Sequence, residues 1–244
     1  MVFRISITFI IIRSFLFGNA FADVDLMVRG GATAGIWKID ISSSSYTSTR
    51  RGNNPGGVAC ASLAVEGEFF SLGAEYEKSF EEQWHYGDAS ESEDDDSWPS
   101  FSADKEKKII FLGLGTTGKN LFTFLSMRIG YILDSTLQLN KNILGTQPPG
   151  TYKGNGVKIS LFYKNIFETL DWGIDLSIDL NYINYDQLTT NGSSYDLPSP
   201  VGSLNYSELQ ETSASLLIGF SFTFLRDIFA IKGKRPFFMF GPDS

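Results

Sequence analysis

The sequence predicts an all-β protein: an eight-stranded, antiparallel, up-and-down β-barrel that crosses a membrane. Three observations predict it. The stretch Asp171 to Tyr185 alternates with almost no error: Trp172, Ile174, Leu176, Ile178, Leu180 and Tyr182 fall on one face, and Asp171, Gly173, Asp175, Ser177, Asp179 and Asn181 on the other. Strand side chains alternate faces with period two, and this strand is long, roughly 11 to 15 residues against the 5 to 6 of an ordinary strand. A tilted membrane-crossing strand needs about 9 to 11. Second, connections between strand-like segments alternate long and short, the arrangement of a transmembrane barrel with short turns on one side and long loops on the other. Third, the chain has 24 Gly, 21 Phe and 10 Tyr, and past residue 22 no run of about 18 apolar residues that would make a spanning helix.

Taken in order, Met1 to Ala22 reads as a signal peptide, with Arg4 at its start, an apolar stretch from Ile5 to Phe17 and the small-x-small sequence Ala20-Phe21-Ala22. The other reading, an uncleaved anchor, needs about 20 apolar residues. Cleavage leaves 18 basic and 28 acidic side chains, net −10, which excludes nucleic-acid binding, a task for basic surface. Cys60 is the only cysteine, so no intramolecular disulfide forms. Residues 23–224 make the barrel and 225–244 a C-terminal extension of unknown role.

The first strand is Asp25 to Ile41, with Met27, Arg29, Gly31 and Thr33 opposite Val28, Gly30, Ala32 and Ala34. Residues 42–57, rich in Ser and ending Asn53-Asn54-Pro55-Gly56-Gly57, read as loop. Val58 to Val65 is the second strand and Phe69 to Phe80 the third, with Glu66-Gly67-Glu68 either a turn between them or a bulge in one longer strand. Residues 81–107 are the most polar segment and read as a long acidic loop. Lys108 to Thr116 and Leu121 to Asp134 are the fourth and fifth strands, joined by a short turn. Residues 135–155 read as loop, Gly156 to Lys164 as the sixth strand, and Asp171 to Tyr185 as the seventh. Residues 187–207 read as loop and Glu208 to Phe224 as the eighth strand. The even count puts both termini on the periplasmic side. Tyr76, Tyr131, Tyr163, Trp172, Tyr182 and Tyr185 suit interfacial girdles.

The last strand, Ser213-Ala214-Ser215-Leu216-Leu217-Ile218-Gly219-Phe220-Ser221-Phe222-Thr223-Phe224, carries the most specific resemblance. The chain resembles the small eight-stranded outer-membrane proteins of Gram-negative bacteria, of the OmpA transmembrane-domain and OmpX type, over residues 23–224. In that family an alternating last strand ending in phenylalanine looks like the signal read by the barrel insertion machinery, which implies that role for Phe220, Phe222 and Phe224. Those proteins usually stop at that phenylalanine. This chain runs on through Lys232-Gly233-Lys234-Arg235-Pro236, so either the tail is a periplasmic extension or the strand count shifts near the end.

An eight-stranded barrel is just wide enough for its side chains to fill. The polar faces put Arg29, Glu75, Arg128, Lys158, Asp171, Asp175 and Asp179 in the lumen, where bare charge is costly and pairing follows. A plug of paired charges is expected; a narrow or gated pore through the aspartate ladder is the sharper alternative. Residues Trp84, His85, Asp94, Asp95, Asp96 and Trp98 are assigned to the outward loop. Barrel enzymes acting on lipid A look as if they use a His–Ser or His–Asp–Ser set near the outer rim, and His85 has Asp88, Ser90 and Ser92 nearby; a loop does not give catalysis the rigid geometry it needs. Glu91, Glu93 and Asp94–Asp96 lack the spacing of a calcium loop and read as solvated, with weak divalent-cation binding near lipopolysaccharide as the alternative. Gly113-Leu114-Gly115-Thr116-Thr117-Gly118 fits G-x-G-x-x-G without the βαβ unit that pattern serves.

The function read from these residues is structural or surface-interacting, with no enzyme activity, no metal and no cofactor. The alternatives are a narrow or gated pore, a lipid-modifying enzyme and a soluble exported ligand-binding barrel. Expected partners are outer-membrane lipid and lipopolysaccharide, the barrel insertion machinery and an extracellular ligand or host surface. Nucleic acid is excluded, and the protein is expected to be a monomer in the bacterial outer membrane.

Overall fold

The computed structural model describes residues 23–45, 47–66, 70–88, 100–115, 125–139, 150–166, 172–201 and 204–225. Within them the chain is all strand and turn: β1 (Asp23–Ser42), β2 (Thr47–Asn53), β3 (Gly56–Glu66), β4 (Phe70–Asp88), β5 (Ser100–Gly115), β6 (Leu125–Leu139), β7 (Gly150–Ile166), β8 (Trp172–Thr190), β9 (Ser193–Asp196), β10 (Ser199–Val201), β11 (Leu204–Tyr206) and β12 (Leu209–Leu225). Eight of these close a ring of antiparallel neighbours, β1–β3–β4–β5–β6–β7–β8–β12 and back to β1. Closure removes every free sheet edge in the wall, the one way a sheet can cross a bilayer.

Parity along each strand sorts the side chains. In β8 the residues of even number from Ile174 to Tyr182 are exposed and those of odd number from Gly173 to Tyr185 are buried. The exposed set continues around the barrel as Leu26 and Val28 in β1, Leu72 and Tyr76 in β4, Ile110 and Leu112 in β5, Ile129 and Tyr131 in β6, Ile159 and Leu161 in β7, and Ile218 and Phe220 in β12. From Trp172 to Tyr182 is ten residue steps. At about 3.3 Å per step and a tilt of about 40°, that gives a band roughly 25 Å tall, the height of a membrane-facing belt. The belt ends in outward polar residues on one side: Lys38 and Asp40, Lys78 and Glu106, Lys108 and Asp134, Lys153 and Asn155, and Gln210. A barrel apolar outside and charged inside has the polarity of the transmembrane class.

Several strands are longer than their sequence suggests. Residues 47–53, expected in a loop, form β2, which continues β3 across an interruption at Asn54-Pro55 and pairs with both β1 and β4. The polar segment 81–107 is not one loop: β4 runs to Asp88, and β5 starts at Ser100 and pairs with it through Lys105↔Ser79 and Glu106↔Lys78. Trp84 and His85, expected in that loop, therefore have strand backbone, paired with Phe101 and Ser100. β6 extends to Leu139 and β7 begins at Gly150, which takes strand into both ends of the 135–155 loop. The 187–207 loop holds the end of β8, the turn Asn191-Gly192 at φ 52° and 74°, and β9, β10 and β11. Glu66↔Ser71 pairing makes β3 and β4 separate antiparallel strands and not one bulged strand; residues 67–69 between them lie outside the described residues.

Bulges mark three of these extended strands. β-bulges lie between Ser79 and Glu82 in β4, between Ile132 and Ser135 in β6, and between Tyr185 and Gln187 in β8. Each falls where its strand leaves the apolar belt. A bulge adds a residue, sharpens the twist and exchanges inward for outward parity beyond it. Leu137 and Leu188 consequently point inward although their parity is opposite to that of Arg128 and Asp179.

Candidate functional site

The interior of the barrel is stratified. At the end nearer Asp23 and Leu225, the Arg128 guanidinium donates to Glu66 Oε1 at 3.1 Å and lies 3.2 Å from Met27 Sδ. Its plane sits over the Phe111 ring at 4.4 Å and the Phe162 ring at 4.2 Å. Phe162 takes a second cation, Arg29, at 4.4 Å. A delocalised guanidinium is weakly hydrated and stacks well on a ring face, which suits arginine to a filled lumen. Asp175 accepts from Ser221 Oγ at 3.3 Å.

The middle level is built around Lys158. Its ammonium contacts Glu75 Oε1 at 2.5 Å, Glu77 Oε2 at 2.7 Å and Asp179 Oδ2 at 2.7 Å. Arg29 pairs with Glu75, donates to Ser177 Oγ at 2.7 Å and reaches Asp179 at 3.9 Å. Lys107 pairs with Glu77 at 2.6 Å. The carboxylates of Glu75, Glu77 and Asp179 converge within 4.8 Å, close enough to hold a cation. Lys158 occupies that position with its own charge.

The next level toward the outward polar end is centred on Glu211, which accepts from Lys105 Nζ at 2.5 Å, Asn54 Nδ2 at 3.1 Å and Tyr185 Oη at 3.0 Å. Beyond it the filling changes. Trp37, Ile39, Ile41, Leu137, Leu139, Tyr152, Ile183, Leu188, Leu197, Val201, Tyr206 and Leu209 pack into one buried apolar cluster. Lys38, Asp40, Lys153 and Gln210, on the outer wall at the same height, are polar and exposed or half-buried. The polarity of the wall thus inverts along its axis: apolar outside and charged inside within the belt, polar outside and apolar inside beyond it. Burial pushes the Tyr152 phenol up within this cluster.

The residues singled out from the sequence fall as follows. Arg29, Glu75, Lys158 and Asp179 lie in direct contact; Arg128 and Asp175 are buried in the level below; Asp171 lies outside the described residues. Phe220 and Phe222 are on the outer face, 51% and 47% exposed, and Phe224 follows in the same strand. Asp94, Asp95, Asp96 and Trp98 lie outside the described residues, as do residues 1–22 and 226–244. Tyr185, expected in a girdle, is fully buried because its odd number puts it on the inner face of β8.

Sequence reasoning passed over Glu77, Lys105, Lys107 and Glu211. Glu77 and Glu211 share the inward parity of Glu75 and Ser213, so that signal was present. Lys105 and Lys107 were hidden in a segment whose charge density suggested loop. Room for Arg29 depends on Gly219, its cross-strand partner, where a Cβ would overlap the Val28 carbonyl oxygen and meet Arg29 Cγ at 2.6 Å.

No family model matches the chain, and no curated protein matches its sequence. Solved structures similar to it include Neisserial surface protein A, 12% identical with a TM-score of 0.36, covering 81% of this chain and 97% of that one. Another is the outer membrane protease OmpT from Escherichia coli, 9% identical with a TM-score of 0.45, covering 83% and 97%. A third is the N-terminal β-barrel domain of Pseudomonas aeruginosa OprF, 14% identical with a TM-score of 0.33, covering 79% and 99%.

Proposed function

We propose that this chain is a non-conducting, non-enzymatic barrel of a Gram-negative outer membrane, which holds a rigid polar rim above the bilayer for contact with surface ligands. The observation that carries the reading is the inversion of polarity along the wall. A belt of Leu, Ile, Phe and Tyr faces outward where a soluble ligand-binding barrel would turn the same residues inward. Beyond the belt the cluster from Trp37 to Leu209 fills the lumen with hydrocarbon, and below it the charges are tied in pairs.

A water-filled pore needs a continuous polar path. Here the path stops at Glu211. A barrel whose outer part has a packed core of its own is also stiff, and stiffness suits a platform for recognition. The reading keeps lipopolysaccharide and an extracellular surface as partners, residues 1–22 as an export signal and residues 225–244 as a periplasmic extension.

Two measurements test it together. In the outer-membrane fraction the unboiled protein should migrate differently from the boiled protein on SDS gels, because a folded membrane barrel resists SDS. In planar bilayers the purified protein should give no resolved conductance steps. A detergent-free soluble protein without a heat shift would overturn the membrane placement, and discrete steps would overturn the sealed lumen.

A further inference from the structure

We propose that the middle of the lumen binds a structural water between Asn181 on β8 and Ser213 on β12, which joins the Lys158 and Glu211 levels into one hydrogen-bonded column. The site lies inside the closed ring, so it stands apart from what surrounds the barrel and from what the rim contacts.

Asn181 and Ser213 are cross-strand partners on the inner face, each 2% exposed. Directly opposite side chains in an antiparallel pair have Cβ atoms about 4.5–5.5 Å apart. Among the described residues, neither Oδ1 nor Nδ2 of Asn181 has a hydrogen-bond partner, and neither does Ser213 Oγ. Buried polar atoms are costly when dry, and in folded proteins they are answered by other groups or by ordered water. Asp179, the next inward residue on β8, adds a buried Oδ1 without a hydrogen bond, while its Oδ2 faces Lys158.

Short residues leave room at this level. Gly35 is the partner of Ser213 on β1, Ser215 follows Ser213 on the inner face of β12, and Gly156 lies on the β7 side. The point where a Gly35 Cβ would stand is 2.6 Å from Asn54 Oδ1 and 2.7 Å from Ser213 Cβ. Asn54 in turn donates to Glu211.

The mixture of donors and acceptors selects the occupant. Asn181 offers one of each kind, and the Ser213 hydroxyl serves as either. A metal cation takes oxygen ligands; it would leave Nδ2 unanswered and meet Lys158, the partner of Asn181 on β7. An anion would leave Asn181 Oδ1 unanswered and meet the Asp179 and Glu211 carboxylates. The cations on either side already have carboxylates: Lys158 has Glu75, Glu77 and Asp179, Lys107 has Glu77, and Lys105 has Glu211. Water both donates and accepts, and a buried water typically makes about three hydrogen bonds.

Position gives the water its consequence. Asp179 faces Ser215 and Glu211 faces Ile183, so the two carboxylates stand one inward step to either side of the Asn181–Ser213 pair. A water there carries the polar column across the gap between them, from Arg29 and Lys158 to Glu211 and Tyr185, where the apolar cluster ends it.

The test uses the full chain, deuterated and nitrogen-labelled, folded in micelles, with water-selective NOE and ROE spectra read at the Asn181 side-chain amide. A cross-peak of opposite sign in the two spectra is expected, the signature of a bound water and not of proton exchange. Ser213→Ala should weaken it by about fivefold to tenfold, the ratio one hydrogen bond supplies, and Ser221→Ala, at the Asp175 level, should leave it unchanged. Urea unfolding adds a second readout. Asn181→Leu should lower the midpoint, because it strips Ser213 and Asp179 of the water; in a dry site the same change removes orphaned polar atoms and raises the midpoint. A folded barrel with no such peak, a peak unmoved by Ser213→Ala, or a raised midpoint in Asn181→Leu overturns the site. The heat shift on gels tests the membrane placement separately.

Discussion

The Tyr185 hydroxyl donates to Glu211 Oε2 at 3.0 Å, and this contact marks the level at which the barrel's filling changes from charge to hydrocarbon. Tyr185 belongs to both sides. Its ring packs edge-on against Tyr152 at 6.5 Å in the apolar cluster, while its hydroxyl completes the set of donors on a buried carboxylate. A buried charge is tolerated when every partner is present, so Glu211 should be sensitive to the loss of charge balance and insensitive to the loss of charge itself.

The first prediction follows. Glu211→Gln keeps one acceptor oxygen, enough for either Asn54 or Tyr185, and removes the carboxylate charge that Lys105 pairs with in the lumen. It should cost about 3 kcal/mol of folding free energy. Lys105→Met combined with Glu211→Gln should recover most of that loss, because the cation and the carboxylate of the pair are removed together. Urea unfolding in lipid vesicles, followed by tryptophan fluorescence, measures both. A double variant as unstable as the single one would show that Lys105 matters through something other than its charge.

Lys158 supports a second prediction. Lys158→Met leaves Glu75, Glu77 and Asp179 converging within 4.8 Å, with Arg29 and Lys107 beside them. Loss of about 3–5 kcal/mol is expected. Three carboxylate oxygens are hard ligands of the kind calcium takes, so refolding the variant in millimolar calcium should recover part of the stability, while the same calcium should leave the unsubstituted protein unchanged. A calcium-independent unfolding midpoint in the variant would sink the idea that the ammonium stands in a cation's place.

Much of this was legible in the sequence, and the reason is parity. Asp175 and Asp179 alternate with Ile174, Leu176, Ile178 and Leu180 over a stretch free of bulges, so strand, length and facing all follow from spacing. The belt in β12 and β6 follows in the same way. What could not be read was where polarity inverts. Lys38 and Asp40 share outward parity with Val28, and Trp37 and Ile39 share inward parity with Arg29, so in β1 the alternation continues while its chemistry reverses. In β6 and β8 the bulges at residues 133–134 and 186 exchange parity at the same height. Beyond that height a strand looks locally like polar loop, as the segment around Lys105 and Lys107 does. No local signal tells a bulge from a strand end.

Glycine geometry gives a third prediction, a contrast between two sites. At Gly219 an added methyl group meets the Val28 carbonyl and the Arg29 stem, backbone and a packed side chain that cannot withdraw cheaply. Gly219→Ala should destabilise by about 1–3 kcal/mol, the usual range for overpacking. At Gly192 there is open space, and the only cost is a positive φ of 74°, so Gly192→Ala should lose about 1 kcal/mol. The order of the two unfolding midpoints checks this. Equal midpoints would mean that β1 and β12 can separate enough to admit a methyl group.

A fourth prediction concerns pH. The Thr49 hydroxyl, with Lys38 a smaller contributor, holds the Asp40 carboxyl below the ordinary carboxylate range. A group whose folded pKa is depressed adds stability above its unfolded pKa of about 3.9 and loses it as pH falls through the folded value. The β1–β2 hairpin should therefore hold steady from neutral pH down to about 4 and loosen below it. Thr49→Ala should raise the Asp40 pKa toward the ordinary value, seen by carboxyl-carbon NMR titration. An Asp40 titration unmoved by Thr49→Ala would assign the shift to another group.

The membrane placement is exposed to its most direct challenge by charge on the outer wall. Ile178 lies near the middle of the belt on β8, 51% exposed, and Asn155 lies past the belt's polar edge on β7, also exposed. In water the two positions are equivalent: arginine on an exposed strand face is cheap at either. In a bilayer they are not, because arginine on a barrel's lipid face costs roughly 2–4 kcal/mol at the midplane and about 0–1 near the interface. Ile178→Arg should therefore lower folding free energy in vesicles by about 2–4 kcal/mol, and Asn155→Arg should change it by less than about 1. Trp172→Arg, at the other edge of the belt, should fall between them. The ordering is what decides. A depth-dependent cost follows from hydrocarbon around the wall and from nothing inside it, since all three side chains point away from the lumen. Equal small costs at all three positions would mean that the wall faces water.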